Sequence, residues 1–278
     1  MKMFNKNQVV AVVMGGPSAE REVSLNTGAA IANALREYGY TNVVEIDLDP
    51  RNFGKQLAES KAEVVFNAVH GLYGEDGRLQ TLLEIREMPY TGSGMIASVS
   101  CMDITKRMLR DAGISTPACL IVNKKESGIK EKIMQRFSLP VVIKPASQGS
   151  SIGVEIVKEE AQLDEALANA FKYSRDILVE EFIGGKELTV SMMQKDGEVV
   201  ALPVIHIAPH SGTYDYHSKY TKGATEYICP ADLDEETTKK VQEISKQAYE
   251  VLGCSGVARA DVMLDEAGNG YVLEINTV

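Results

Sequence analysis

The sequence predicts an α/β protein that opens on a parallel, doubly wound half-domain and continues into a region where strands outnumber helices. Three observations predict it. Short apolar runs alternate with helix-periodic segments across residues 9–86, a Gly/Ser-rich turn separates two strands in the middle, and the sequence closes on two strands of period-2 alternation.

In the first block, Val9 to Met14 reads as a buried strand and Gly15-Gly16-Pro17-Ser18-Ala19-Glu20 joins it to a helix expected from about Ser24 to Tyr38. A strand at Val43 to Asp47, a short amphipathic segment, a strand at Val64 to Val69 and a helix around Leu79 to Arg86 complete the block. Glycines at a strand-to-helix joint let a ligand approach the carboxyl edge of a parallel sheet, where open α/β sheets bind small molecules. Glu20 would place an anion there, suited to a substrate ammonium. His70, in His70-Gly71-Leu72-Tyr73-Gly74-Glu75-Asp76-Gly77, ends the third strand on the same edge, although loop histidines also serve purely structural ends.

The second block opens after Tyr90-Thr91-Gly92-Ser93-Gly94, with a helix near Asp103 to Ala112, a strand at Pro140 to Lys144, a glycine loop, a strand at Val154 to Val157 and a helix from Leu163 to Tyr173. The loop Lys144-Pro145-Ala146-Ser147-Gln148-Gly149-Ser150-Ser151-Ile152-Gly153 offers backbone N–H groups and hydroxyls that can close over a polyphosphate. It lacks the GxxxxGK[ST] spacing of a P-loop and leads into a strand, and a plain Gly/Ser turn has the same composition. Lys144 and the upstream Lys106 strengthen the phosphate reading, because two ammonium groups offset charge that an acidic protein repels.

The third block follows Glu180-Glu181-Phe182-Ile183-Gly184-Gly185 and is strand-rich, with one long helix from Glu235 to Leu252. A strand exiting into glycines can present backbone groups to an adenine edge, with Glu187 in reach of ribose hydroxyls; an edge strand with solvated acids looks the same. The closing hairpin pairs Gly256–Leu264 with Tyr271–Asn276. With the turn near Ala267 and Gly268, Asp261 faces Glu274 and Arg259 faces Asn276, while Val272 shares the polar face with Glu274. Two carboxylates and an amide oxygen are hard ligands suited to Mg²⁺ carrying nucleotide phosphates, and Arg259 is placed to neutralise an oxyanion. A solvated hairpin fits the same pattern.

Composition narrows the class. Lys and Arg number 29 against 39 Asp and Glu, a net charge of −10 over 278 residues, which argues against nucleic-acid binding and against a membrane-surface role. Cys101, Cys119, Cys229 and Cys254 show no CxxC spacing, so buried reduced thiols are expected. The apolar run near the start is too short for a secretory signal or a membrane span, and a cytoplasmic enzyme is expected.

Taken in order, Gly15-Gly16-x-Ser18-x-Glu20-x-Glu22-Val23-Ser24, His70-Gly-x-x-Gly74-Glu75-Asp76-Gly77, Tyr90-Thr-Gly-Ser-Gly94, Lys144-Pro-x-x-x-Gly-Ser150-Ser, and Arg259-x-Asp261 with Glu274-x-Asn276-Thr277 closely resemble the D-alanine–D-alanine ligases of the ATP-grasp superfamily. The resemblance spans essentially the whole sequence. It implies a Rossmann-like, parallel-sheet substrate domain over 1–94 and a two-lobed α+β ATP-grasp fold. Its central lobe, 95–182, would hold the phosphate loop, and its C-terminal lobe, 183–278, the mobile loop and metal site.

The implied activity is ATP-dependent joining of two D-alanines through a D-alanyl phosphate, for peptidoglycan precursors of the cell wall. By resemblance, Lys106 and Lys144 lie on the phosphates, the backbone of Glu180, Glu181 and Ile183 at adenine, and Glu187 at ribose. Asp261, Glu274 and Asn276 hold Mg²⁺, or Mn²⁺. Arg259 meets the tetrahedral oxyanion, Glu20 the first ammonium, and His70 helps to place substrate. Tyr214 to Tyr220 resembles the family's mobile loop, with Lys219 on phosphate and Tyr220 bonded to Ser150 and Glu20. A homodimer is usual in the family.

The sequence departs from the family pattern in two places. Ser100 to Thr105, the approach to Lys106, is about two residues shorter than the family pattern, and the sequence stops at Asn276-Thr277-Val278, before a Pro-Gly-Met-Thr segment, a Ser for the second substrate and a last helix. The 183–278 lobe is accordingly expected to lack that helix. Another ATP-grasp carboxylate–amine ligase, or a catalytically weak ATP-binding protein, fits the same motifs.

Overall fold

The structure, a computed structural model, describes residues 5–98, 102–146, 153–212, 214, 218–219 and 221–277. The chain forms two compact units, Met1–Val99 with Gly253–Ala258 and Thr277–Val278, and Ser100–Leu252 with Arg259–Asn276.

In the first unit, β1 (Val9–Met14) is flanked by β2 (Asn42–Asp47) and β3 (Val64–Asn67), both parallel to it. Parallel neighbours need crossovers, which α1 (Arg21–Glu37) and α2 (Phe53–Ser60) supply. Ala11 and Val13 of β1 pack with Phe53, Leu57 and, from α3 (Arg78–Ile85), Leu79 and Leu83, whereas Val12 and Met14 pack with Ala32 of α1. A strand covered on both faces must be apolar at every position, and β1 is. The helix α1 starts at Arg21, ahead of the expected Ser24. Ser24 is no cap: its buried hydroxyl donates to Ala68 O at 2.6 Å and accepts from Gly15 N at 2.8 Å, tying the helix to the ends of β1 and β3. A short helix, α4 (Met95–Ser98), closes this part of the unit.

The second unit contains two sheets. After α5 (Met102–Asp111), the order β4-β7-β5-β6 is built from β4 (Cys119–Asn123), β5 (Val141–Pro145), β6 (Glu155–Val157) and β7 (Asp176–Glu181), all antiparallel. Val141, Ile143, Ile177 and Val179 turn one face onto Ile133 of α6 (Ile129–Arg136) and Leu163, Ala166 and Ala170 of α7 (Leu163–Ala170). Alternation sends Lys144 and Glu180 to the opposite face. Neither β4 nor α6 is signalled by the apolar pattern.

The larger sheet runs β11-β10-β8-β12-β13 with β9 also on β8, from β8 (Lys186–Lys195), β9 (Glu198–Ala201), β10 (Ile205–Pro209), β11 (Thr225–Ile228), β12 (Val257–Leu264) and β13 (Gly270–Asn276). The long helix α8 (Glu235–Val251) packs on β8, β9 and β13, and Asp234 caps it by accepting from Thr237 N at 2.8 Å. At the polar end of the hairpin the register is the expected one, Arg259 opposite Asn276 and Asp261 opposite Glu274. Towards the turn it slips, because Val262 pairs with Val272 and leaves Leu273 as an extra residue in a β-bulge. Val272 consequently enters the core instead of sharing the polar face with Glu274.

One smaller expectation also changes, with Cys101 outside the described residues. Cys229, at the exit of the terminal strand β11, is exposed, and Cys119 and Cys254 are half-buried, because none of them sits on a core-facing position. Among the described residues no helix is long and apolar enough to cross a membrane.

Candidate active site

In the first unit, the carboxyl ends of the adjacent strands β1 and β3 bring Glu20 and His70 together. Ser18 links them, donating through Oγ to His70 O at 2.7 Å and accepting from Glu20 N at 3.1 Å. The Glu20 carboxylate lies over Gly71, where an added Cβ would come 2.6 Å from Glu20 Oε2, so the close approach requires glycine. Gly71 also holds a left-handed φ of 69°. His70 Nε2 lies 3.1 Å from Thr27 Oγ1, and Nδ1 faces Glu75 Oε1 at 3.8 Å, beyond hydrogen-bond reach.

In the second unit, Glu180 stands between two lysines. Lys144 Nζ is 2.7 Å from Oε2, and Lys106 Nζ, reaching from α5, is 3.1 Å from Oε1. All three side chains are buried, Lys106 to 1% and Glu180 to 3% exposure. Burial alone raises a carboxyl's pKa, but Lys144 and Lys106 hold Glu180 below its usual range. Burial pushes Lys106 down to about 8, against the pull of Glu180, so it stays an ammonium at neutral pH. Lys144 is raised despite burial because Glu180 and, further off, Glu274 favour its charge. Two positive groups and one negative leave the trio with net positive charge.

The coupling of Lys144 to Glu274 leads to the second cluster, on the hairpin β12–β13 and the neighbouring β8. Arg259 forks onto Asp261, Nε to Oδ1 at 3.0 Å and Nη2 to Oδ2 at 3.1 Å. Thr189 of β8 donates to Asp261 Oδ1 at 2.7 Å. Asn276 Nδ2 lies 3.2 Å from Asp261 Oδ2 and 3.5 Å from Glu274 Oε1, bridging the two acids. Burial would lower the Arg259 pKa, but Asp261 and Glu274 keep it above the ordinary arginine value. Glu187, two residues from Thr189 on the same face of β8, is pushed up to about 7 by burial and then by the Asp261 and Glu274 charges, with Lys219 opposing.

This donor set fits a hard divalent cation. Two carboxylates on directly paired residues converge on one amide, which offers oxygen in place of nitrogen when turned about its last bond. Among the described residues no group of three His, Cys, Asp or Glu side chains has metal-holding geometry, so the set depends on Asn276. Lys219 rests over the Tyr214 ring at 5.0 Å from its centroid, and Tyr214 OH meets Tyr227 OH at 2.9 Å. Burial and then Tyr227 raise the Tyr214 phenol, and the Arg259 and Asp261 charges also act on it.

Ser150 and Tyr220 lie outside the described residues. Glu181, on the last residue of β7, accepts from Ala118 N through Oε1 at 2.7 Å, and Ile183 follows in the exit of that strand. Lys106, expected on phosphate, has its N–H groups engaged elsewhere: Nζ donates to Thr116 Oγ1 at 2.8 Å and Val272 O at 3.3 Å as well as facing Glu180. Sequence reasoning also misses Thr189 and Thr116, and it names Tyr214 only as part of the mobile-loop segment. For Thr189 a signal exists, since period-2 counting along β8 from Glu187 puts it on the same face.

Comparison with known proteins identifies the family. The family profile described as "D-ala D-ala ligase C-terminus" matches residues 108–278, and "D-ala D-ala ligase N-terminus" matches 49–93. A D-alanine--D-alanine ligase of Syntrophotalea carbinolica is 45% identical over 272 residues, covering 97% of this chain and 85% of that protein. Among solved structures, the D-alanine--D-alanine ligase of Bacillus anthracis complexed with ATP superposes with a TM-score of 0.82 at 32% identity, covering 97% of this chain and 86% of that one. The VanG D-Ala:D-Ser ligase of Enterococcus faecalis gives 0.81 at 29% identity, covering 98% and 90%. With both halves matched by profiles and relatives aligned along nearly its full length, the chain belongs to the D-alanine–D-alanine ligase family.

Proposed function

We propose that this protein joins two D-alanines into D-alanyl-D-alanine at the expense of ATP, through a D-alanyl phosphate, releasing ADP and phosphate and supplying peptidoglycan synthesis. Family membership carries the reaction class, and the Arg259–Asp261–Glu274–Asn276 cluster coupled to Lys144 is the observation that supports these residue roles.

Lys144 and Lys219 supply positive charge for the nucleotide phosphates, and the strand end at Glu180, Glu181 and Ile183, with Glu187, receives the nucleoside. Mg²⁺ or Mn²⁺ held by Asp261, Glu274 and Asn276 would neutralise charge on the phosphates. Glu20 orients the ammonium of the first D-alanine, whose carboxylate attacks the γ-phosphorus while ADP leaves. His70 helps to place substrate. The neutral amine of the second D-alanine then attacks the acyl carbon, Arg259 balances the tetrahedral oxyanion, and phosphate departs. Ser150 and Tyr220 belong to the segments proposed to close over the acyl phosphate and exclude water. Positioning and electrostatics do most of this chemistry, which suits a site whose acids and bases are already paired.

The test is phosphate release from ATP with Mg²⁺ as a function of added amino acid. D-alanine, and not L-alanine, should stimulate release, with D-alanyl-D-alanine seen by mass spectrometry. ATP binding without turnover would leave a binding protein. A preference for D-serine or D-lactate as acceptor would move the assignment to a neighbouring specificity, which the similarity to a D-Ala:D-Ser ligase makes the pertinent comparison.

A further inference from the structure

The two lysines that flank Glu180 differ in how much of each ammonium is free. An ammonium has three N–H donors and no acceptor. Lys106 Nζ donates to Thr116 Oγ1 at 2.8 Å and Val272 O at 3.3 Å and pairs with the Glu180 charge at 3.1 Å from Oε1, and the side chain is 1% exposed. Among the described residues Lys144 Nζ meets only Glu180, at 2.7 Å.

The partners of Lys106 are also connected. Thr116 donates its hydroxyl to the same Val272 O at 2.7 Å, and Val272 N donates to Ser115 O at 2.9 Å. Val272 sits on β13 two residues before Glu274, so helix α5, the segment leading to β4, and the strand bearing the metal-site acid meet at one ammonium. A lysine that had to leave this arrangement for a phosphate would give up its bonds to Thr116 and Val272 O and leave the negative charge of a carboxylate buried to 3% to Lys144 alone, at a cost that a phosphate contact would have to exceed.

We infer that Lys106 is a positioning residue and not a phosphate ligand: it neutralises Glu180, leaving the charge of Lys144 for the nucleotide, and with Thr116 it fixes the strand that carries Glu274. This rests on the ATP-dependent ligase reading. Without Lys106, the whole Glu180 charge falls on Lys144 and competes with phosphate. With Glu180 neutral as well, that competition ends.

A double-mutant cycle separates the two roles. ATP affinity is measured calorimetrically with Mg²⁺ for the unaltered protein, Lys106→Met, Glu180→Gln and the double variant, each checked for a cooperative melt. Lys106→Met should weaken ATP binding about tenfold, while adding it to Glu180→Gln should change affinity by less than about threefold. A tenfold or larger loss in both backgrounds would make Lys106 a direct ligand and overturn the inference. If Lys106→Met fails to fold, amine acylation of the unaltered protein decides. Lys106 should resist the reagent with and without Mg²⁺–ATP, and labelling of Lys106 that nucleotide suppresses would overturn it. An unaltered protein that binds no ATP would instead sink the ligase reading, an outcome distinct from either.

Discussion

Thr189 donates its hydroxyl to Asp261 across the β8–β12 boundary at 2.7 Å, and both side chains are buried. The carboxylate is therefore held by Thr189 and Arg259 Nε on Oδ1 and by Arg259 Nη2 and Asn276 Nδ2 on Oδ2. Replacing Thr189 by Val keeps the shape and removes the donor, leaving a buried charged oxygen short of a partner. The fold should lose about 1.5–3 kcal/mol, read from urea denaturation at pH 7. An unchanged denaturation midpoint would show that the bond contributes nothing net.

Glu274→Gln should leave stability near normal, because Glu274 is only partly buried and its hydrogen-bond partner among the described residues is Asn276, at 3.5 Å. It removes one negative charge from the proposed cation site. Phosphoryl transfer should slow by roughly 2–4 kcal/mol in barrier, the usual size for one preorganised electrostatic contact. Single-turnover formation of ADP at modest Mg²⁺ measures it, and normal turnover would remove the hairpin from the metal site.

Gly71→Ala tests the first unit. The residue holds φ at +69°, and a Cβ there meets the Glu20 carboxylate at 2.6 Å. Left-handed strain should cost about 1–2 kcal/mol of stability. Displacement of Glu20 should raise the KM for D-alanine with little effect on that for ATP. Equal increases in both constants would mean that Glu20 does not face the amino acid.

The raised pKa of Glu187 gives a pH dependence with a definite sign. Its ordinary value is 4.5, and burial followed by the Asp261 charge lifts it to about 7 in the fold. Between those values the native state holds a proton that the unfolded chain has released, so stability falls as pH rises through the window and the full loss is present above it. Glu187→Gln should therefore stabilise the free protein at pH 8, by on the order of 2 kcal/mol, and much less at pH 4.5. Thermal melts of both proteins in metal-free buffer at the two pH values give the comparison; a gain independent of pH would contradict it.

What could be read from the sequence divides along physical lines. β1 is visible because it is apolar at every position and α1 because its buried positions recur every four residues, and the Asp261–Glu274 pairing is visible because both acids lie on one hairpin whose turn sets the register. β4 is obscure, since only Val122 is fully buried and the apolar run shows no alternation. Helix α6 is obscure for a related reason: Ile133 is its single fully buried residue, and charge dominates the rest. The Lys106–Glu180–Lys144 trio joins a helix and two strands far apart in sequence, and no local spacing encodes such a meeting. Thr116 is harder still, because a threonine between a helix and a strand carries no chemical signature of its own.

The extra residue at Leu273 gives β13 two separate allegiances. Below it the strand answers to the packing of α8 through Val272, and above it to the charges around Asp261. A regular strand would put Val272 and Glu274 on one face and force a choice between an apolar and a charged surface. Here the irregularity turns two residues of one short strand to opposite duties, so the backbone anchored at Val272 O also carries the acid.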